Sequence, residues 1–176
     1  LALMVLGGLW LCLWRQAWRW YGALAIGLGA ALIPFAPRPD LLLTADGELV
    51  VVREADGGLT VSSGRRNKFE AEQWQQRDGS QAAPPVWRAG EGVWLNCEFA
   101  LCRYEPPGGR VLIVREAAGL RAGCSEAARL VVNLVAGQAC DAARVIDRDA
   151  LAERGAHAVY LEAGAVRIET TRAARH

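Results

Sequence analysis

Two uncharged apolar stretches, Leu1 to Trp14 and Trp20 to Ala36, constrain this chain more than any other feature; only RQAWR, with Arg15 and Arg19, separates them. A helix needs about 20 apolar residues to cross a hydrocarbon core, with a lower bound of about 17. The second stretch, at 17 residues, meets that bound. The first opens with Leu already inside apolar sequence and reads as the end of a helix whose start is missing. Residues 1–36 are therefore expected to form a transmembrane hairpin with a truncated first helix. Trp10, Trp14, Trp18 and Trp20 cluster around the charged loop, and a membrane interface collects Trp and Arg at one level. A signal peptide would place its basic residues before the apolar run and a small-residue cleavage site after it. Here they sit in the middle. A buried hairpin in a soluble core is the other competitor, and it leaves the Trp and Arg cluster unexplained.

The loop with Arg15 and Arg19 is more positive than the far end, where Asp40 offsets Arg38. By the positive-inside rule the loop faces the cytoplasm and residues 37 onward face the opposite side. Cysteine usage is an independent vote for that orientation. Cys97, Cys102, Cys124 and Cys140 can pair completely, as proteins of oxidising compartments do. Four cysteines allow three connectivities; the spacing favours Cys97 with Cys102, because CEFALC can close across a hairpin, and Cys124 with Cys140. Free structural thiols and a zinc site are the alternatives. Zinc pairs usually come as C-x(2 to 4)-C knuckles, a spacing the second pair lacks.

Residues 37–176 are enough for one domain with its own core. The net charge of +1 provides no global field for nucleic acid or anionic lipid, so any such contact needs a local patch. Arg65, Arg66 and Lys68 form the one dense basic run. They are a candidate DNA phosphate contact, or a solvated turn before a helix.

Pro34, Pro37 and Pro39 end the second apolar stretch. LLLT, ELVVVRE and GLTVSS, separated by ADG and ADGG, predict a three-stranded meander. NKFEAEQWQQR predicts a helix capped by Asn67 and stopped by Gly79, with Phe69 and Trp74 facing the core. VWLNCEFALCRYE predicts a hairpin, and RVLIVRE and RLVVNLV predict buried strands. EAAGLRAGCSEAA has helical tendency that Gly119 and Gly123 are expected to break. RVID, RDALAERG and HAVYLE predict strand, helix and strand, and AVRIETT an edge strand. The fold class expected is α/β: the membrane hairpin followed by a mixed layered domain.

APRPDLLL, the two DG turns, KFEAEQWQQRDG, CEFALCRY and ARVIDRDALAERGAHAVYL, taken in order, resemble the C-terminal region of ComEC-type competence proteins. WLCLWRQAWRWYG resembles the last transmembrane hairpin of their channel domain. The resemblance covers essentially the whole chain. It implies a place in natural transformation: an inner-membrane DNA-uptake channel, with residues 37–176 in the periplasm and the upstream channel domain, other competence proteins, the membrane and DNA as partners. It also implies a shortened metallo-β-lactamase-like fold, for which a nuclease role has been suggested in relatives.

The residues limit what that resemblance transfers. A metallo-β-lactamase site needs H-x-H-x-D-H and further ligands, since each metal takes several imidazole and carboxylate donors. The chain has two histidines, His157 and His176. The expected role is therefore non-enzymatic, an accessory or DNA- and partner-contact module with no metal and no cofactor. A residual nuclease or hydrolase using Ser125, Asp147 and His157 is the alternative; those side chains carry the atoms of a triad, without a G-x-S-x-G elbow. Asp147, Arg148 and Asp149 could hold a cation or a phosphate, but more simply cap the following helix. A membrane-anchored binding module unrelated to DNA is the second alternative.

Overall fold

The computed structural model describes residues 1–13, 17–80, 82–88, 92–138, 140 and 144–172. Trp14 and Arg15 of the charged loop, and His176, lie outside them. The chain divides into two compact units, Leu1–Arg38 and Pro39–His176. Among the described residues, five α-helices and two five-stranded sheets make it a mixed α/β protein.

In the first unit, helices α1 (Ala2–Leu13) and α2 (Trp20–Ala31) pack on each other, with short 3-10 turns at Ala17–Arg19 and Ile33–Phe35. The contact is backbone to backbone. A Cβ at Gly7 would lie 2.6 Å from the Gly22 carbonyl oxygen, and one at Gly22 would lie 2.7 Å from that of Gly7. Small residues permit this approach. The outward faces are apolar: Leu6 is 62% exposed and Leu24 69%.

The expected membrane span is not realised as one helix. Each helix has 12 residues, a rise of about 18 Å, and no helix among the described residues is long and apolar enough to cross a membrane. The α-helix stops short of Ala36 because Pro34 has no backbone N–H to extend the ladder, and the chain tightens into the 3-10 turn.

In the second unit, sheet A has the order β10-β9-β1-β2-β3, where β1 is Leu41–Leu43, β2 Val50–Arg53, β3 Leu59–Val61, β9 His157–Glu162 and β10 Ala165–Thr170; all its neighbours are antiparallel. Sheet B has the order β4-β5-β6-β7-β8, with β4 at Leu95–Cys97, β5 Leu101–Tyr104, β6 Val111–Val114, β7 Leu130–Asn133 and β8 Val145–Asp147; its last three strands run parallel. Strand side chains alternate between faces, and here both faces are apolar. One face of each sheet joins a shared core that includes Leu41, Leu43, Val50, Val52, Tyr104, Val111, Ile113, Leu130, Val132 and Val159. The opposite faces take helices: Val51, Leu59 and Val61 pack on Ala71 and Trp74 of α3 (Lys68–Asp78), and Leu112, Val114 and Val131 pack with Leu120 of α4 (Ala117–Ser125). The layers are helix, sheet, sheet, helix.

Two local expectations need correction. Phe69 is 67% exposed; the face of α3 that meets sheet A carries Ala71 and Trp74, and Phe69 falls off that stripe. Gly119 and Gly123 do not break α4 but are buried on it. A Cβ at Gly119 would sit 2.7 Å from the Ala100 carbonyl oxygen, and one at Gly123 would sit 2.4 Å from Val114 Cγ2.

The structure pairs Cys97 with Cys102 and Cys124 with Cys140. Cys97 and Cys102 are directly opposite in the β4–β5 register and face the shared core. The second disulfide ties α4 to the segment after β7. Arg53, 8% exposed, pins the end of α3 to sheet A through two hydrogen bonds to Asp78, of 3.0 and 2.7 Å, and also donates to the Pro39 and Gly57 carbonyls.

Candidate functional site

Ligands in sheets with parallel strands gather beyond the strands' carboxyl ends. The residues that follow the parallel strands β6, β7 and β8 are Arg115, Leu134 and Arg148, and all three line one open cleft of about 350 Å³. Sheet A contributes Gly47 and Glu48 from the β1–β2 turn, Val50, and Ser62 and Ser63 after β3; Arg66 and Trp87 complete the lining. Three arginines therefore line the cleft, and Glu48 is the one acidic residue in its lining among the described residues. The cleft lies wholly within the second unit.

The local sequence explains how these groups are held. Ser63 Oγ accepts hydrogen bonds from the backbone N–H of Arg65 and of Arg66, 3.3 and 3.2 Å, folding the SSGRR segment into a turn. Asn67 follows with φ 50°, and instead of capping α3 its side chain donates to both carboxylate oxygens of Asp46, at 3.0 and 2.9 Å. Asp46 also accepts from Thr44 Oγ1 and from Glu48 N. Partial burial pushes this carboxyl up, and the bonds from Thr44, Asn67 and Glu48 outweigh it, so the group lies below the ordinary carboxylate value. The Asp46 carbonyl accepts from Arg148 Nη2 at 3.1 Å. One aspartate thus joins the β1–β2 turn, the start of α3 and the start of α5 (Arg148–Arg154) around the cleft.

The three arginines are lightly committed. Arg66, 65% exposed, approaches Glu48 at 3.7 Å, an exposed pair of the kind worth at most about 1 kcal/mol. Among the described residues neither Arg115 nor Arg148 has a carboxylate partner. Such guanidiniums offer planar donor pairs that match phosphate oxygens.

Of the residues singled out from sequence, Arg66 alone of the basic run lines the cleft. Lys68 pairs with Glu72 on α3 at 3.5 Å, and Arg65 is exposed outside the lining. The three triad candidates each have a local partner and no hydrogen bond joins them. Ser125 Oγ donates to the Ala122 carbonyl at the end of α4. Asp147 caps α5, accepting from Ala150 N at 2.7 Å. Asp149 sits in the first turn of that helix. His157 is 3% exposed with Nδ1 2.8 Å from the Gly155 carbonyl oxygen; burial lowers its pKa, reinforced by the Arg154 charge and opposed by the Gly155 bond. No cluster of three or more His, Cys, Asp or Glu side chains able to hold a metal occurs among the described residues.

Arg115 and Trp87 were not legible as site residues. The available signal for Arg115 was its place directly after the buried run VLIV, where a parallel strand would deliver it to the carboxyl edge. No family model, curated protein or solved structure matches the chain.

Proposed function

We propose that this chain is part of an inner-membrane DNA-uptake channel protein of natural transformation, similar to ComEC-type competence proteins, and that its second unit is a non-enzymatic module that contacts DNA phosphates. The observation that carries this reading is that Arg66, Arg115 and Arg148 line one open cleft in which Glu48 is the one acidic residue among the described residues. Phosphate contact without base readout suits a protein that must handle any incoming sequence.

The helix, sheet, sheet, helix layering supports reading the unit as a shortened metallo-β-lactamase-like domain. Two disulfides support a periplasmic location. The exposed apolar faces of α1 and α2 support a membrane association of the first unit, since surfaces of this kind require a non-aqueous or protein cover.

The experiment is genetic. Replacing Arg66, Arg115 and Arg148 together by Gln in a naturally transformable host that depends on this protein lowers transformation frequency at least about tenfold, at unchanged protein level, on the scale of several lost phosphate contacts. An unchanged frequency removes the proposal.

A further inference from the structure

We propose that the cleft holds one nucleotide of single-stranded DNA, with its phosphate among Arg66, Arg115 and Arg148 and its base against Trp87. This rests on reading the cleft as a DNA contact and adds the form of DNA and the residue that selects it.

Trp87 is held from two directions. Its backbone N–H donates to the Val61 carbonyl at 2.8 Å and its indole Nε1 to the Thr60 carbonyl at 3.0 Å. The neighbouring Val86 forms a parallel bridge with Val61, and the partly exposed ring packs against the shared core. A ring fixed in this way loses little freedom when a ligand stacks on it.

Its position matters as much as its rigidity. Trp87 lines the arginine cleft and also a second cleft of about 290 Å³, whose walls pair apolar Pro85, Val86, Val93 and Leu95 with the charged residues Glu54, Asp56 and Arg88. Trp87 is therefore shared by a cationic cleft and by one that is more apolar but carries Glu54 and Asp56. A nucleotide has the same polarity, with phosphate at one end and a flat, largely apolar base at the other.

The arginine cleft is at the small end of ligand-site volumes, which run from about 300 to 1,000 Å³, a size for one nucleotide unit. Duplex DNA keeps its base faces inside its own stack and offers this surface only phosphates. A single strand offers both groups, and aromatic platforms beside cationic grooves bind it with little sequence preference because every base has a π face.

The test uses the full chain in detergent micelles with a fluorescein-labelled oligothymidylate, a duplex of the same length, inorganic phosphate and thymidine monophosphate. The single strand is expected to bind about tenfold tighter than the duplex. Trp87→Ala removes about that factor for the single strand while leaving the duplex unchanged, and Trp87→Phe retains most of the preference. Thymidine monophosphate displaces the labelled strand from the unaltered protein at lower concentration than inorganic phosphate, a readout independent of how Trp87 variants fold. Equal affinity for single strand and duplex, or equal competition by the two small molecules, overturns the proposal. If both DNA forms bind equally and depend on the three arginines, the phosphate-contact reading survives alone; if neither binds, both readings fall.

Discussion

Asp40 illustrates how one half-buried carboxyl can set a pH dependence. Its Oδ2 accepts from Leu161 N at 2.7 Å, and its backbone carbonyl accepts from Arg53 N and, at 3.3 Å, from Tyr104 Oη. Burial raises its pKa, against the lowering effects of the Leu161 bond and the Arg53 charge. A folded-state value above the unfolded one means that the folded chain binds this proton more tightly. The stability Asp40 contributes is thus fully present below the ordinary carboxylate value and is lost as pH rises through the raised one. Asp40→Asn keeps an oxygen for Leu161 and carries no charge. At neutral pH the variant is expected to be at least as stable as the parent in urea unfolding, with a smaller loss of stability between acid and neutral pH. A variant less stable at neutral pH with an unchanged pH slope contradicts this account.

At the scale of elements, the two glycines of α4 show where packing overrules helix propensity. Alanine at position 119 would gain about 1 kcal/mol of propensity, but its Cβ would meet the Ala100 backbone, and overpacking costs about 1 to 3 kcal/mol. Gly119→Ala is therefore expected to lower the urea midpoint; an increase would mean that α4 sits further from the β4–β5 turn than the structure places it. The disulfides differ in access. Cys102 is fully buried and Cys97 8% exposed, whereas Cys124 and Cys140 are partly exposed. Graded reduction followed by alkylation and mass spectrometry should label Cys124 and Cys140 first, and prior labelling of Cys97 and Cys102 would contradict that order.

The individual elements were largely legible. The ADG and ADGG turns, the period of the short apolar runs and Gly79 after the Trp74 helix place β1 to β3 and α3 close to where the structure has them, because turn chemistry and capping are local. The partition into two sheets was not. β9 pairs with β1 across more than a hundred residues, a choice made by the shared core, and nothing in HAVYLE or LLLT names the partner. The cleft was legible only in part: Arg66 stood out within a basic run and Arg148 within the Asp147–Asp149 trio, whereas Arg115 and Trp87 come from separate segments that join them only once both sheets are built.

For the whole molecule, the layering puts the carboxyl ends of three parallel strands opposite the β1–β2 and β3–α3 connections, so that cationic side chains from distant segments collect at one place although the net charge is only +1. That local excess is the central physical claim, and salt reports on it because each neutralised phosphate releases counterions. The most direct measurement is the affinity of the full chain for a labelled single-stranded oligonucleotide across a range of salt concentrations, compared with the variant carrying Gln at positions 66, 115 and 148. The oligonucleotide is recovered afterwards on a denaturing gel. The expected result is a log–log salt slope of about −0.7 for the parent, from the one phosphate held among the three arginines, a slope close to zero for the variant, and intact DNA throughout. Equal slopes for the two proteins, or DNA cleaved by the parent, would contradict it.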